Sequence, residues 1–187
     1  MRDNGEVESV SSSDDDMPPL DDCSGVDVEG PVSGELLVTR RVLSTQPKDE
    51  GEGVQREHIF HTRCHVQKKV CALTIDSGSC TNAASTLPVD KLRLKTVKHQ
   101  KPYRLQWLNE CGEMKVTGQV LISFSIGNYH DEVMCDVVPM QASHLSLGRP
   151  WQFDRRVTYD AYKNQYSFVL NKRIVVLTPH KPWEARD

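Results

Sequence analysis

The chain has 187 residues, room for about one domain, with 37% hydrophobic residues and a net charge of −3. That charge is unevenly spread: residues 1–53 hold 14 Asp/Glu against 4 Lys/Arg, a net of −10, and residues 54–187 hold 12 against 19, a net of +7. No apolar run approaches the ~18–20 residues of a membrane span, and the amino terminus has no apolar signal-peptide core, so neither a membrane partner nor secretion is expected.

The six cysteines include no Cys-x-x-Cys pair. Reduced thiols in a cytoplasmic protein are therefore expected, without disulfides. Residues 1–54 combine Ser11-Ser12-Ser13-Asp14-Asp15-Asp16 with paired prolines and scattered glycine. High charge and few large apolar residues cannot offset the entropy of ordering, which predicts a disordered acidic arm. Within it, residues Glu35 to Leu43 form a brief amphipathic patch, either able to dock or only transiently structured.

The folded region is expected over residues 55–179. From His58 to Val66 apolar and polar positions roughly alternate, the mark of a half-buried strand. His58, His61, Cys64 and His65 lie close together, but on a strand His58 and His61 point to opposite faces and no second ligand pair follows. No metal and no other cofactor are expected. Gln67-Lys68-Lys69 reads as a turn, and Val70 to Ile75 as the return strand into Asp76-Ser77-Gly78-Ser79. Small residues follow from Cys80 to Ser85, then one helical turn at Pro88–Leu92. A strand from Tyr103 to Leu108, a turn at Asn109-Glu110-Cys111-Gly112 and a long strand from Met114 to Ile126 come next, with a bend at Gly118. Gly127-Asn128 signals a hairpin into Glu132–Val138. Leu145 to Gly148 is an apolar run leading into a short helix through Phe153, and three strands (156–159, 166–170, 173–177) precede a tail over residues 180–187. Many short strands with regular turns indicate a mostly-β barrel or sandwich.

The chemistry concentrates at Asp76. Peptide hydrolysis by two carboxylates requires that they share a proton, so that one accepts a proton from water while the other polarises the scissile carbonyl. Asp-Ser-Gly occurs once in the chain, and a complete pair therefore needs two chains about a two-fold axis. Ser77 can hydrogen-bond across that axis, and Gly78 lets backbone approach the carboxylates.

Residues 55–179 resemble the retropepsin-like aspartic peptidase region of gypsy-type plant LTR retrotransposon Gag-Pol polyproteins. The resemblance is carried by Ile59-Phe60-His61-Thr62-Arg63-Cys64, Ile75-Asp76-Ser77-Gly78-Ser79-Cys80-Thr81-Asn82, Tyr103-Arg104-Leu105-Gln106-Trp107-Leu108-Asn109, Ser123 to Gly127, Cys135 to Met140 and Leu147 to Arg155. It implies a closed acid-protease β-barrel with one or two short helices, preceded by a disordered acidic linker, working as a homodimer on extended peptides of a polyprotein. Asp76 would be the catalytic aspartate with Ser77 and Gly78 as its loop partners. Asn109, Glu110, Cys111 and Gly112 would form the flap over the substrate, and Ser79, Leu147 and Gly148 would support the loop from behind. Ser146 stands where the family prefers an aliphatic residue.

Two rival readings follow from the residues. One is a protease-like dimerisation or peptide-binding module without turnover. The other is nucleic-acid binding through Lys95, Lys98, Lys101 and Arg104 beside Tyr103 and Trp107, but Trp107 on a strand reads as core and no nucleic-acid partner is expected. His99, His130 and His144 read as surface or loop residues without an identifiable partner.

Overall fold

A tight hairpin leads to Asp76. In the computed structural model, which describes residues 25–37, 59–106 and 113–180, β2 (Phe60–Val66) pairs antiparallel with β3 (Lys69–Ile75), from Val66↔Lys69 to Phe60↔Ile75. Phe60, Thr62, Cys64 and Val66 are buried, with exposed or half-buried residues between them. Cys64 thus faces the core while His61 and His65 face outward, which separates the residues of the zinc reading.

The remaining strands build a sheet around that hairpin. These are β4 (Ala83–Ser85), β5 (Thr96–Gln106), β6 (Glu113–Ile126), β7 (Tyr129–Val138) and β8 (Leu145–Leu147), in the order β2-β3-β8-β4-β7-β6-β5. A further pairing, His65↔Ser125, joins β2 to β6 and partly closes six of the seven strands into a ring. Inner residues of β6 (Val120, Ile122, Phe124, Ile126) share the main core with Leu73, Ile75, Leu145 and Leu147, and Val116 packs in a second cluster with Ala83 and Val138. Helix α1 (Thr86–Lys91) begins at Ser85, whose hydroxyl accepts from the Leu87 amide. Helix α2 (Arg149–Asp154) begins at Gly148 and buries Trp151 against Phe168, 5.7 Å between rings. The fold is mostly β with two short helices, as expected.

A second sheet has the order β1-β11-β10-β9, from β9 (Thr158–Asp160), β10 (Gln165–Leu170), β11 (Arg173–Leu177) and β1 (Val26–Glu29). Strand β1 departs from the expectation of a disordered arm at residues 25–37; the remainder of residues 1–54 lies outside the described residues. The strand runs parallel to β11 from Val26↔Ile174 to Glu29↔Leu177, and Asp27 takes two bonds from the Arg173 guanidinium at 2.6 Å each. The chain then straps the β2–β3 hairpin. The Val32 amide donates to the Arg63 carbonyl at 3.3 Å and the Leu37 amide to Val70 at 2.9 Å, and Leu37 packs on the core. Local charge density takes no account of pairing to a pre-formed edge; here the open edges of β11, β2 and β3 supply one. The His180 amide donates to the His61 carbonyl at 2.6 Å, so residue 180 belongs to the fold and not to the tail.

Two histidines whose partners the sequence did not identify have them in the fold. His144 Nδ1 accepts the Ala72 amide at 2.9 Å, and His99 Nε2 lies 3.2 Å from Asp136. Asp136 is buried and also accepts from the Tyr103 hydroxyl at 2.6 Å and from Gln119 at 3.0 Å. Burial, and then the bond to Asp136, push the Tyr103 phenol up to about 12. This cluster ties the root of the β5–β6 hairpin to the segment after Asp76, because the Asp136 amide donates to the Asn82 carbonyl at 2.8 Å.

Candidate active site

Strand β3 delivers Asp76 at the point where its partner changes. Leu73, Thr74 and Ile75 pair in parallel with Leu145, Ser146 and Leu147 of β8, and the Asp76 amide continues that ladder to the Leu147 carbonyl at 2.9 Å. Leu147 thereby fixes the carboxylate's backbone, and its own side chain is fully buried. The chain next turns sharply. Gly78 donates its amide to Asp76 Oδ1 at 2.9 Å, and the Ser79 amide donates to the Asp76 carbonyl at 3.2 Å. Asp76, Ser77 and Gly78 are all exposed.

Behind the turn the packing leaves no slack. Ser79 donates its hydroxyl to the Thr81 carbonyl at 2.9 Å, and its carbonyl accepts the Arg149 amide at 2.9 Å. Gly148 donates to Asn82 Oδ1 at 2.9 Å. A Cβ at Gly148 would fall 2.2 Å from the Thr81 carbonyl oxygen and 2.8 Å from that of Ser79, so glycine is required for close approach. Ser146 does not loosen this arrangement. It lies between Leu145 and Leu147 on β8, where Thr74 pairs with it on one side and Ala83 on the other, and an aliphatic side chain is not needed to hold the ladder.

The structure therefore brings together Asp76, Ser77, Gly78, Ser79, Leu147 and Gly148. Asn109, Glu110, Cys111 and Gly112 lie outside the described residues, as does Trp107. Sequence reasoning assigned no role to three further residues: Asn82, Gln152 and Tyr166. Ser77 Oγ donates to Gln152 Oε1 at 3.0 Å, and Tyr166 is buried. Burial raises the Tyr166 phenol above its ordinary range, opposed by Ser77 and reinforced by the nearby charges of Tyr159 and Asp76. Asn82 and Gln152 stood within resembling motifs, which was the available signal. Nothing local to Tyr166 pointed to a turn 90 positions away.

Next to the site, α2 is anchored by Asp131. That carboxylate accepts from Arg155 Nε at 2.8 Å and from Arg155 Nη2, and from Tyr129 and Trp151 at 2.5 and 3.2 Å. Burial pulls the Asp131 carboxyl up, but the Arg155 and Tyr129 hydrogen bonds outweigh it and hold the group below its usual range. An open cleft of about 530 Å³, lined by His65, Lys68, Ser125, His130 and Glu132 among others, does not include Asp76. Among the described residues no helix is long and apolar enough to cross a membrane.

No family model and no curated protein matches the chain. Among solved structures it is similar to the retroviral protease-like domain of Ddi1 from Leishmania major, at 12% identity over 64% of this chain and 94% of that one, with a TM-score of 0.47. It is also similar to a retropepsin-like aspartic protease from Rickettsia conorii, at 18% identity over 56% of this chain and 79% of that one, TM-score 0.38. A third is EIAV protease complexed with the inhibitor HBY-793, at 16% identity over 52% and 88% of the two chains, TM-score 0.36. These neighbours are retropepsin-like aspartic protease domains.

Proposed function

We propose that this chain is one half of an aspartic endopeptidase, and that two copies meet about a two-fold axis to bring two Asp76 carboxylates together. The observation that supports this most is the Asp76 turn itself: an exposed carboxylate whose backbone is fixed by Leu147, whose Oδ1 is held by the Gly78 amide, and whose turn is packed against Gly148 and Asn82. Ile59 and Asp76 flank the Phe60↔Ile75 pair at the end of the hairpin. Ile59 is 62% exposed and Tyr159 44%, apolar surface near the turn of the kind a second copy would cover.

Two carboxylates about 3 Å apart cannot both ionise, so the pair titrates as a unit. The ionised member takes a proton from a water trapped between them, that water attacks the scissile carbonyl, and the protonated member donates to the developing oxyanion. The substrate is an extended peptide held by backbone hydrogen bonds, with alternate side chains in pockets. Residues 109–112 act as its flap, and the motifs quoted above favour a polyprotein of retrotransposon type, processed in the cytoplasm, as the original substrate.

The test is cleavage of an unstructured peptide by the full chain across mildly acidic to neutral pH, with sedimentation equilibrium in parallel. Asp76→Asn should abolish turnover and leave the dimer intact. Cleavage that survives Asp76→Asn, or a chain that stays monomeric at high concentration, overturns the reading. A dimer that binds peptide and cleaves none would make the protein a binding module.

A further inference from the structure

We propose that the protein binds a calcium ion at Glu29, in a cavity between the second sheet and the β6–β7 turn, and that the ion fastens β1 to that turn. None of the residues involved belongs to the Asp76 turn, so the site is independent of peptide cleavage.

Strand β1 is amphipathic in the inverted sense. Val26 and Val28 are 58% and 64% exposed, whereas Asp27 and Glu29 pair with Val175 and Leu177, both buried. Alternate residues of a strand take opposite faces, so the two acids face inward and the valines face out. For Asp27 the fold supplies a countercharge, the Arg173 guanidinium at 2.6 Å from each oxygen. For Glu29 it supplies none. Glu29 is 8% exposed, and among the described residues no hydrogen bond or ion pair reaches its carboxylate. Its backbone is fixed by the pairing with Leu177 and by the Thr178 amide, which donates to the Glu29 carbonyl at 3.0 Å. The carboxylate lies against the β6–β7 turn: a Cβ at Gly127 would fall 1.8 Å from Glu29 Oε2. Gly127 has φ of 56°, so glycine there serves both the turn and the approach of the acid.

An ionised carboxylate buried without a partner is costly, and a bound cation removes that cost. The surroundings of Glu29 fit a hard cation. A cavity of about 150 Å³ adjoins it, lined also by Asp27, Asn128, Tyr129, Asn171 and Arg173. Asn128 belongs to the β6–β7 turn and Asn171 to the β10–β11 turn, so turns from the two sheets meet at the cavity. The donors it offers are carboxylate and amide oxygens, with no thiol or imidazole among the lining residues, a set that suits calcium or magnesium over zinc or copper. Two carboxylates against one guanidinium leave one negative charge. Both asparagines are exposed, and side chains on exposed turns adapt to the irregular shell of about six to eight oxygens that calcium takes, whereas magnesium demands a rigid octahedron. One free carboxylate completed by neutral oxygens and water places the affinity in the millimolar range.

The experiment is calorimetric unfolding of the full chain in calcium chloride, in magnesium chloride and in sodium chloride of matched ionic strength, with Glu29→Gln and Glu29→Asp beside the wild type. For a Kd of about 1 mM, calcium at about 10 mM should raise the wild-type Tm by about 3–5 °C and leave that of Glu29→Gln unmoved. The acidic stretch Asp14-Asp15-Asp16 also attracts cations, and Glu29→Gln, which keeps that stretch, separates the two. Without calcium Glu29→Gln should melt no lower than the wild type, because it removes the uncompensated charge. In amide NMR spectra of the wild type the Gly127 and Asn128 signals should shift saturably with calcium, and in Glu29→Gln they should not. No rise in the wild type, an equal rise with magnesium or sodium, a rise that persists in Glu29→Gln, or an unmoved Gly127 signal overturns the proposal. If Glu29→Gln does not fold, the wild-type Gly127 signal decides, together with Glu29→Asp, which withdraws the carboxylate and should weaken calcium binding several-fold.

Discussion

Gly148 shows how one missing side chain sets the position of another residue's carboxylate. A methyl group there must displace the Thr81 and Ser79 carbonyls, and those carbonyls belong to the segment that carries the Asp76 turn. Gly148→Ala should lower stability by about 1–3 kcal/mol and reduce peptide cleavage at least a hundredfold, with the strand signal in far-UV circular dichroism retained. Asp131 is the matching case for charge. Its carboxyl is held below the usual range by Arg155 and Tyr129 against burial. A lowered folded-state value means that the contribution is complete above the unfolded value near pH 4 and is lost as pH falls through the folded one. Asp131→Asn should cost about 2–3 kcal/mol at pH 7, discounted because Arg155 is partly exposed, and much less near pH 2. Urea midpoints at the two pH values check this.

Elements long enough to show a period of two were legible in the sequence, and elements too short to show one were not. Strand β6 repeats Val116, Val120, Ile122, Phe124 and Ile126 toward the core, and the alternation is plain in the letters. Strands β4 and β8 have three residues each, and β4 is buried throughout. Three residues are too few to show a period, so Ala83–Ser85 read only as small residues and Leu145–Leu147 only as an apolar run. The hairpin turn between β2 and β3 was visible as polar residues, but its strain was not. Gln67 and Lys68 both take left-handed backbone, with φ of 48° and 64°, where a two-residue turn prefers Asn-Gly. Replacing Gln67-Lys68 with Asn-Gly should stabilise the protein by about 1 kcal/mol and raise Tm by about 2–4 °C, measurable by calorimetry. The Asp76 turn was legible because its residues are contiguous; Gln152 reaches it only through the folding of α2.

For the whole molecule, the main revision concerns where the domain starts. Composition placed the start near residue 55, whereas Val26–Glu29 completes the second sheet and residues 32–37 strap the hairpin that ends in Asp76. A truncated chain of residues 54–187 should lose about 3–6 kcal/mol relative to residues 25–187, from the ladder bonds and the burial around Leu37. Comparing the urea midpoints of the two would reveal it, and equal midpoints would mean that the strap is dispensable.

The same strap has a consequence in time. The bond between Arg173 and Asp27 spans 146 residues, and β1 finds its edge only after β11 exists. During synthesis at about 5–20 residues per second, β1 leaves the ribosome well before β11 and waits for it. Contacts of such long range form late in folding. A nascent chain cannot complete its second sheet until nearly all of the domain has emerged, so the ordering of events is written into the connectivity: translation first, closure second, and any pairing of active-site halves after both.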